Sequence, residues 1–280
     1  MTIILRLNNS KNYHQEKYNI DRNLKKGINY LSFLVAPNLR GCSECYNRAM
    51  NESDLISARE DVLKKIEVIF KDVAVEAHLF GSLARGDADA YSDIDIWLVI
   101  RDEEYAEVFK NRFEYYSRLG EVTSVNEPPQ NAPEGGVHSA LLIKTGEALT
   151  VADIFLCPLS KAFITEQSKK LFGIDLPKGE AGFNSQKVQV DEEYRINFFI
   201  GFIFNTIKKI VRREENPLDA VFREYENLYQ KYNIRVIPLE NHEHTFQNLE
   251  QIIKNTETIA TEKQKKALNT IYEFAKKILG

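Results

Sequence analysis

From Asn51 onward the apolar positions recur at helical spacing, through Leu55, Ile56, Val62, Leu63, Ile66 and Ile69. Ser53 is placed to cap this helix and Asp54 to sit in its first turn. Past Lys71-Asp72 the period is lost, and the run Val73 to Phe80 predicts a strand. A polar stretch, Gly81 to Ser92, leads into Ile94-Asp95-Ile96-Trp97-Leu98-Val99-Ile100, a second strand. Asp102 to Leu119 then predicts a helix and Glu121 to Asn126 a short strand. Proline and glycine make Glu127 to Gly136 a loop. Two more strands, His138 to Lys144 and Leu149 to Leu156, form a hairpin about Thr145-Gly146-Glu147-Ala148.

Beyond Pro158 the chain is polar through Gly182, with a turn at Leu176-Pro177-Lys178-Gly179. From Asp191 the helical period returns, and four helices are expected: Asp191 to Glu215, Pro217 to Tyr232, Thr245 to Asn255 and Thr261 to Ile278. Pro217 suits the first turn of the second. The fold class is therefore α+β. A mixed-sheet catalytic domain is expected over residues 51–160, followed by an all-helical domain over 161–280 that supplies a substrate pocket. Residues 1–50 show little periodicity. They read as an extension, or as the product of an upstream start codon with the compact fold beginning near Met50; Tyr30 to Val35 is a candidate strand there.

Composition narrows the classes. With 43% hydrophobic and 28% charged residues the chain can bury sizeable cores and is not disordered. A net charge of −4 lacks the basic excess of a nucleic-acid binder, so a small molecule is preferred as main partner over a polynucleotide. No apolar run is long enough to span a bilayer, because Ile196 to Ile207 is broken by Asn197, Gly201 and Asn205. The N-terminus lacks a signal-peptide pattern, and three cysteines make no disulfide framework, so a cytoplasmic location is expected.

The chemistry is concentrated between Leu79 and Val99. Gly81 lets a strand end turn and approach a ligand closely. Ser82 adds a hydroxyl beside backbone N–H groups, and Arg85 is a fork-shaped donor for phosphate oxygens. Asp93 and Asp95 lie two apart at a strand start and share a face. Paired carboxylates repel unless a cation sits between them, and Mg²⁺ takes oxygen ligands together with substrate phosphates. Asp153 is charged within an apolar strand, which makes sense as a third metal ligand or as the general base.

The combination Phe80-Gly81-Ser82, a spacer of about ten residues, Asp93-Ile94-Asp95-Ile96 and a later strand aspartate at Asp153 resembles the DNA polymerase β-type nucleotidyltransferase superfamily. Gly81-Ser82-Leu83-Ala84-Arg85-Gly86 and Tyr91-Ser92-Asp93-Ile94-Asp95 look most like bacterial aminoglycoside and lincosamide (kanamycin-type) nucleotidyltransferases. The resemblance implies a Mg²⁺ pair held by Asp93, Asp95 and Asp153. It further implies ATP or another NTP bound by Gly81, Ser82, Arg85, Ser92 and Lys209, with transfer of a nucleoside monophosphate to a small acceptor's hydroxyl, as in antibiotic modification. Where the kanamycin enzyme places a glutamate base four residues before its lysine, this chain has Asn205 and Lys209, which shifts the base role toward Asp153. Transfer to a protein or tRNA acceptor, and a non-catalytic nucleotide-binding module, are the rival readings.

Other features have plainer explanations. Lys208, Lys209, Arg212 and Arg213 suit a solvated helix end, and Asp87 and Asp89 a solvated loop. Tyr194, Phe198, Phe199, Phe202 and Phe204 fit a helix core, as Tyr225 and Tyr229 fit core or surface. Cys42-x-x-Cys45 has no second pair, His242-x-His244 reads as surface, and His78 reads as a packed histidine.

Overall fold

The structure, a computed structural model, describes residues 50–179, 192–231 and 245–279. The candidate strand Tyr30 to Val35, Cys42-x-x-Cys45 and His242-x-His244 lie outside the described residues.

Helix α1 (Glu52–Phe70) is capped two residues before the expected Ser53. Its cap is Asn51, whose Oδ1 accepts from the Asp54 backbone N–H at 3.0 Å while the Asp54 carboxylate accepts from the Asn51 N–H at 3.2 Å. Two orphan amide donors are satisfied reciprocally, which a serine already inside the first turn cannot do. Ser53 instead donates its hydroxyl to Asn51 Oδ1.

Strand β1 (Glu76–Leu79) runs into a five-residue helix α2 (Gly81–Arg85), and β2 (Ile94–Ile100), α3 (Asp102–Ser117), β3 (Glu121–Asn126), β4 (Val137–Thr145), β5 (Ala148–Pro158) and β6 (Lys169–Gly173) follow. The sheet order is β3-β4-β5-β2-β1-β6. Among these six strands β2 and β5 pair in parallel and the other neighbours are antiparallel. Strand β6 falls in the stretch expected to be an irregular transition. It is an edge strand with exposed Lys169 and Lys170, and polarity of that kind guards a sheet edge against further pairing. Helices α4 (Glu192–Val211), α5 (Asp219–Lys231), α6 (Thr245–Glu257) and α7 (Glu262–Leu279) complete the chain. The second helix starts at Asp219, after Pro217, because Asn216 takes a left-handed φ of 48° that ends the preceding turn.

The alternation within β2 divides the sheet. Ile94, Ile96, Leu98 and Ile100 face a core shared with Val62 and Ile66 of α1 and with Val108 and Tyr116 of α3. Trp97 and Val99 face the other side, with Phe155 and Cys157 of β5. A third core joins Ile200, Ile203, Phe204 and Ile207 of α4 to helices α5–α7 and to Leu142, Ala148 and Leu149 of the β4–β5 hairpin. Helix α4 is thereby seated on the sheet, which fixes where its polar face can reach.

Candidate active site

The acids lie on the face opposite α1 and α3, at the start of β2. In the parallel β2–β5 ladder Asp95 pairs directly with Asp153. Register partners share a face, and Asp93 joins them by the two-residue period. The expectation that one sheet face carries all three carboxylates is met by this register.

The charges are unevenly balanced. Lys208 of α4 donates to both Asp93 oxygens, at 2.6 and 2.7 Å. Burial nonetheless holds the Asp93 carboxyl above its usual range, against the pull of Lys208. Among the described residues no cationic side chain pairs with the Asp95 carboxylate in this way. Burial first, and then the negative charges of Asp153 and Asp93, push it up to about 7. His138 Nε2 lies 2.7 Å from Asp153 Oδ1. An ionised carboxylate only accepts, so with Asp153 charged Nε2 is the protonated nitrogen. The His138 ring stacks on Phe155 with centroids 4.2 Å apart, and its Nδ1 is buried without a partner.

Gly81 follows from the closeness of Asp95. Its φ is +66°, and a Cβ placed there would lie 2.1 Å from Asp95 Oδ2. No side chain larger than hydrogen fits, and L-residues resist that backbone region in any case. The Phe80 N–H donates to the Asp95 carbonyl at 3.0 Å, tying the turn to β2. Ser82 lies in α2 beside this turn. Arg85 pairs with Asp87 at 3.2 Å on the surface.

The loop between Gly86 and Asp93 is better fixed than a solvated segment. Arg212, immediately after α4, grips Asp89 with two hydrogen bonds of 2.7 and 2.8 Å, and this holds the Asp89 carboxyl down to about 2. The reading of Asp89 and Arg212 as merely solvated is thus corrected: the turn that follows α4 reaches back over the loop. Ser92 turns its hydroxyl onto Asp89 Oδ1 at 2.9 Å and accepts the Asp89 N–H at 3.0 Å. It is engaged in loop structure. Arg59 of α1 donates to the carbonyls of Asp89 and Ser92. Among the cations expected near the site it is Lys208, and not Lys209, whose amine meets the acids; Lys209 is half-buried on the neighbouring helical position. The signal for Lys208 was available, since with Phe204 and Ile207 it continues the buried stripe of α4. His138 had no such signal, because at a strand start nothing in the sequence announces a cross-strand aspartate.

A cavity of about 240 Å³ opens beside Asp93, Asp153 and His138, between the sheet and α4. Asn205 is exposed on its wall, as are the rings of Phe198 and Phe202 in part. Phe199, Phe204 and Tyr225 belong to the core, as read. His78 is buried, and its Nδ1 lies 2.9 Å from Glu76.

The carboxylates suit a divalent cation in donor type and in charge: burial, and then the negative charges of Asp153 and Asp93, disfavour the ionised form of Asp95, and a cation would offset both. As arranged, however, no three carboxylate, imidazole or thiol groups among the described residues form a ready-made metal cage. Lys208 occupies both oxygens of Asp93 and His138 one of Asp153. The Lys208 ammonium and the His138 ring thus already engage oxygens that a metal would take.

Residues 60–129 match the nucleotidyltransferase domain family, a span that holds Gly81, Ser82, Asp93 and Asp95 and ends before Asp153. No curated protein matches the chain. Among solved structures, the STING-associated CdnE c-di-GMP synthase of Capnocytophaga granulosa is similar at 15% identity and a TM-score of 0.28, covering 80% of each chain. The Elizabethkingia meningoseptica CdnE cyclic dinucleotide synthase, solved with GTP and Apcpp, is similar at 12% identity and 0.24, covering 81% of this chain and 97% of its own. The GLD-2/RNP-8 complex follows at 10% and 0.23, covering 72% of each. Likeness at these scores says nothing of substrate. Among the described residues no helix is long and apolar enough to cross a membrane.

Proposed function

We propose that this nucleotidyltransferase moves a nucleoside monophosphate, AMP from ATP, to a hydroxyl of a small acceptor in a Mg²⁺-dependent reaction. The observation that carries the reading is the register pairing of Asp95 with Asp153, with Asp93 on the same face and Gly81 packed against Asp95. Asp93, Asp95 and Asp153 would hold the metal pair. When bound, the metal supplies charge neutralisation of the triphosphate and of the attacking and leaving oxygens.

The remaining work falls to the chain. Gly81 leaves room beside Asp95 for the cation that would bridge it to the phosphates, and Ser82 and Arg85 donate hydrogen bonds to the triphosphate. Lys208 releases Asp93 and turns its ammonium toward the phosphates, the part first assigned to Lys209. Ser92 acts through the loop, holding Asp89 in place. Asp153, oriented by His138, accepts the proton of the acceptor hydroxyl or completes the metal set. Pyrophosphate leaves, and most of the rate comes from positioning and charge.

The test is pyrophosphate release from Mg²⁺-ATP with a metabolite extract as acceptor source, compared among wild type, Asp93→Ala and Asp95→Ala. Loss of release in both variants supports the reading; full release in both refutes it.

A further inference from the structure

The cavity beside Asp153 has a composition that restricts what it accepts. Resting on the transfer reading above, we infer that it takes the hydroxyl-bearing acceptor, and that this acceptor is uncharged and carries a flat ring system.

Placement argues for the acceptor. The cavity is lined by Asp93, Asp153 and His138, whereas Gly81, Ser82 and Arg85 do not line it. The donor's phosphates belong with the latter group, so a molecule in the cavity brings its hydroxyl to Asp153 from the side away from them.

The walls argue for charge and shape. Among the described lining residues the only charged groups are Asp93 and Asp153, each already facing a partner, Lys208 or His138. A polycation would find Asp93 held by Lys208 and only one oxygen of Asp153 open, and an anion no free ammonium or guanidinium, so neither repays its desolvation there. The polar side chains offered are instead Ser124 and four amides, Asn126, Asn131, Asn205 and Asn197, the last with its Oδ1 already accepting from Gln264 at 3.0 Å. Asn126 Oδ1 is buried with no hydrogen-bond partner, an acceptor that a ligand N–H or O–H would satisfy. Phe198 and Phe202 supply ring faces and edges on the α4 side. The volume of about 240 Å³ lies below the roughly 300–1,000 Å³ of pockets that enclose drug-sized ligands, which suits one ring system with a small substituent.

Gly201 points the same way. It lies mid-helix in α4, where glycine weakens the helix, yet no atom within 4 Å would meet a Cβ there. Packing in the protein does not require the glycine. Its effect is to keep the cavity wall open.

The experiment is ligand-observed NMR on the full chain. The ligands are adenosine and uridine as neutral flat molecules, kanamycin as a polycation and glucose 6-phosphate as an anion, each with and without saturating AMPCPP and Mg²⁺. Wild type is expected to bind a nucleoside with AMPCPP present. Gly201→Leu, which fills open space and leaves the helix intact by thermal unfolding, is expected to weaken that binding at least about tenfold. Asn126→Leu is expected to do the same. Binding of kanamycin or glucose 6-phosphate in preference, displacement of the nucleoside by AMPCPP, binding unaffected by Gly201→Leu, or no binding of either nucleoside each overturns the inference. Failure of AMPCPP to bind counts separately, against the donor site and not against the cavity.

Discussion

Lys208 and Asp93, 115 positions apart, form a two-pronged ion pair whose amine lies 2.6 and 2.7 Å from the two carboxylate oxygens. The lysine side chain is only 6% exposed and the aspartate 27%. The pair therefore joins α4 to the sheet where the acids gather, and ties the packing of the helical region to the state of the site.

Lys208→Met should strand the Asp93 charge. Removing one partner of a fully buried pair costs about 3–5 kcal/mol, and the exposure left to Asp93 lowers this to about 1–3 kcal/mol. Urea unfolding is the check. Adding Asp93→Asn should recover most of that stability while activity stays at least about 100-fold down, because the losses in fold and in chemistry are then separated.

Gly81→Ala should fail for two reasons at once, the strained φ of +66° and the 2.1 Å clash with Asp95 Oδ2. A stability loss of about 2–3 kcal/mol and a rate loss of about 100-fold are expected. Gly86→Ala is the control. Its φ is +79°, but nothing lies within 4 Å of the added carbon, so it should cost about 1 kcal/mol and leave the rate within a few-fold.

Asp95 titrates near pH 7 in the fold and near 3.8 when unfolded. The folded chain thus holds the extra proton between these values, and the stability this gives is present below about pH 4 and lost as pH rises through about 7. In EDTA, Asp95→Asn should match wild type at pH 4 and exceed it at pH 8 by on the order of 2 kcal/mol. Adding Mg²⁺ at pH 8 should raise the melting temperature of wild type and not of Asp95→Asn. Differential scanning fluorimetry reads both.

Asp89 carries the opposite sign. Arg212 holds its carboxyl down to about 2, so its contribution is present above about pH 4 and lost as pH falls through about 2. Both side chains are partly exposed, and Asp89→Asn should cost only about 0.5–1 kcal/mol at pH 7 and nothing at pH 1.5. Chemical unfolding at the two pH values tests this.

The sheet and its acids were legible because they rest on period-two alternation: Ile94 and Ile96 inward put Asp93 and Asp95 outward, and an aspartate inside Thr150 to Phe155 stood out against its apolar neighbours. What was hidden depends on pairings distant in sequence. Lys208 rather than Lys209 follows from the rotation of α4 on its core, and His138 from the β4–β5 register. Arg212 meets Asp89 only because α4 ends above that loop. Strand β6 was hidden for another reason: its lysines look like loop, and only pairing with β1 makes them an edge.

The central claim is transfer of the nucleotidyl group by the carboxylates of β2 and β5. It is tested by incubating the protein with Mg²⁺ and ATP labelled on either the α- or the γ-phosphate, in the presence of an acceptor extract, and following the label into product for wild type and Asp95→Asn. The expected result is α-label in an acceptor adduct, γ-label in released pyrophosphate, and at least about a 1,000-fold loss in Asp95→Asn of unchanged fold. Label transferred from the γ-position, or an Asp95→Asn rate equal to wild type, would contradict it.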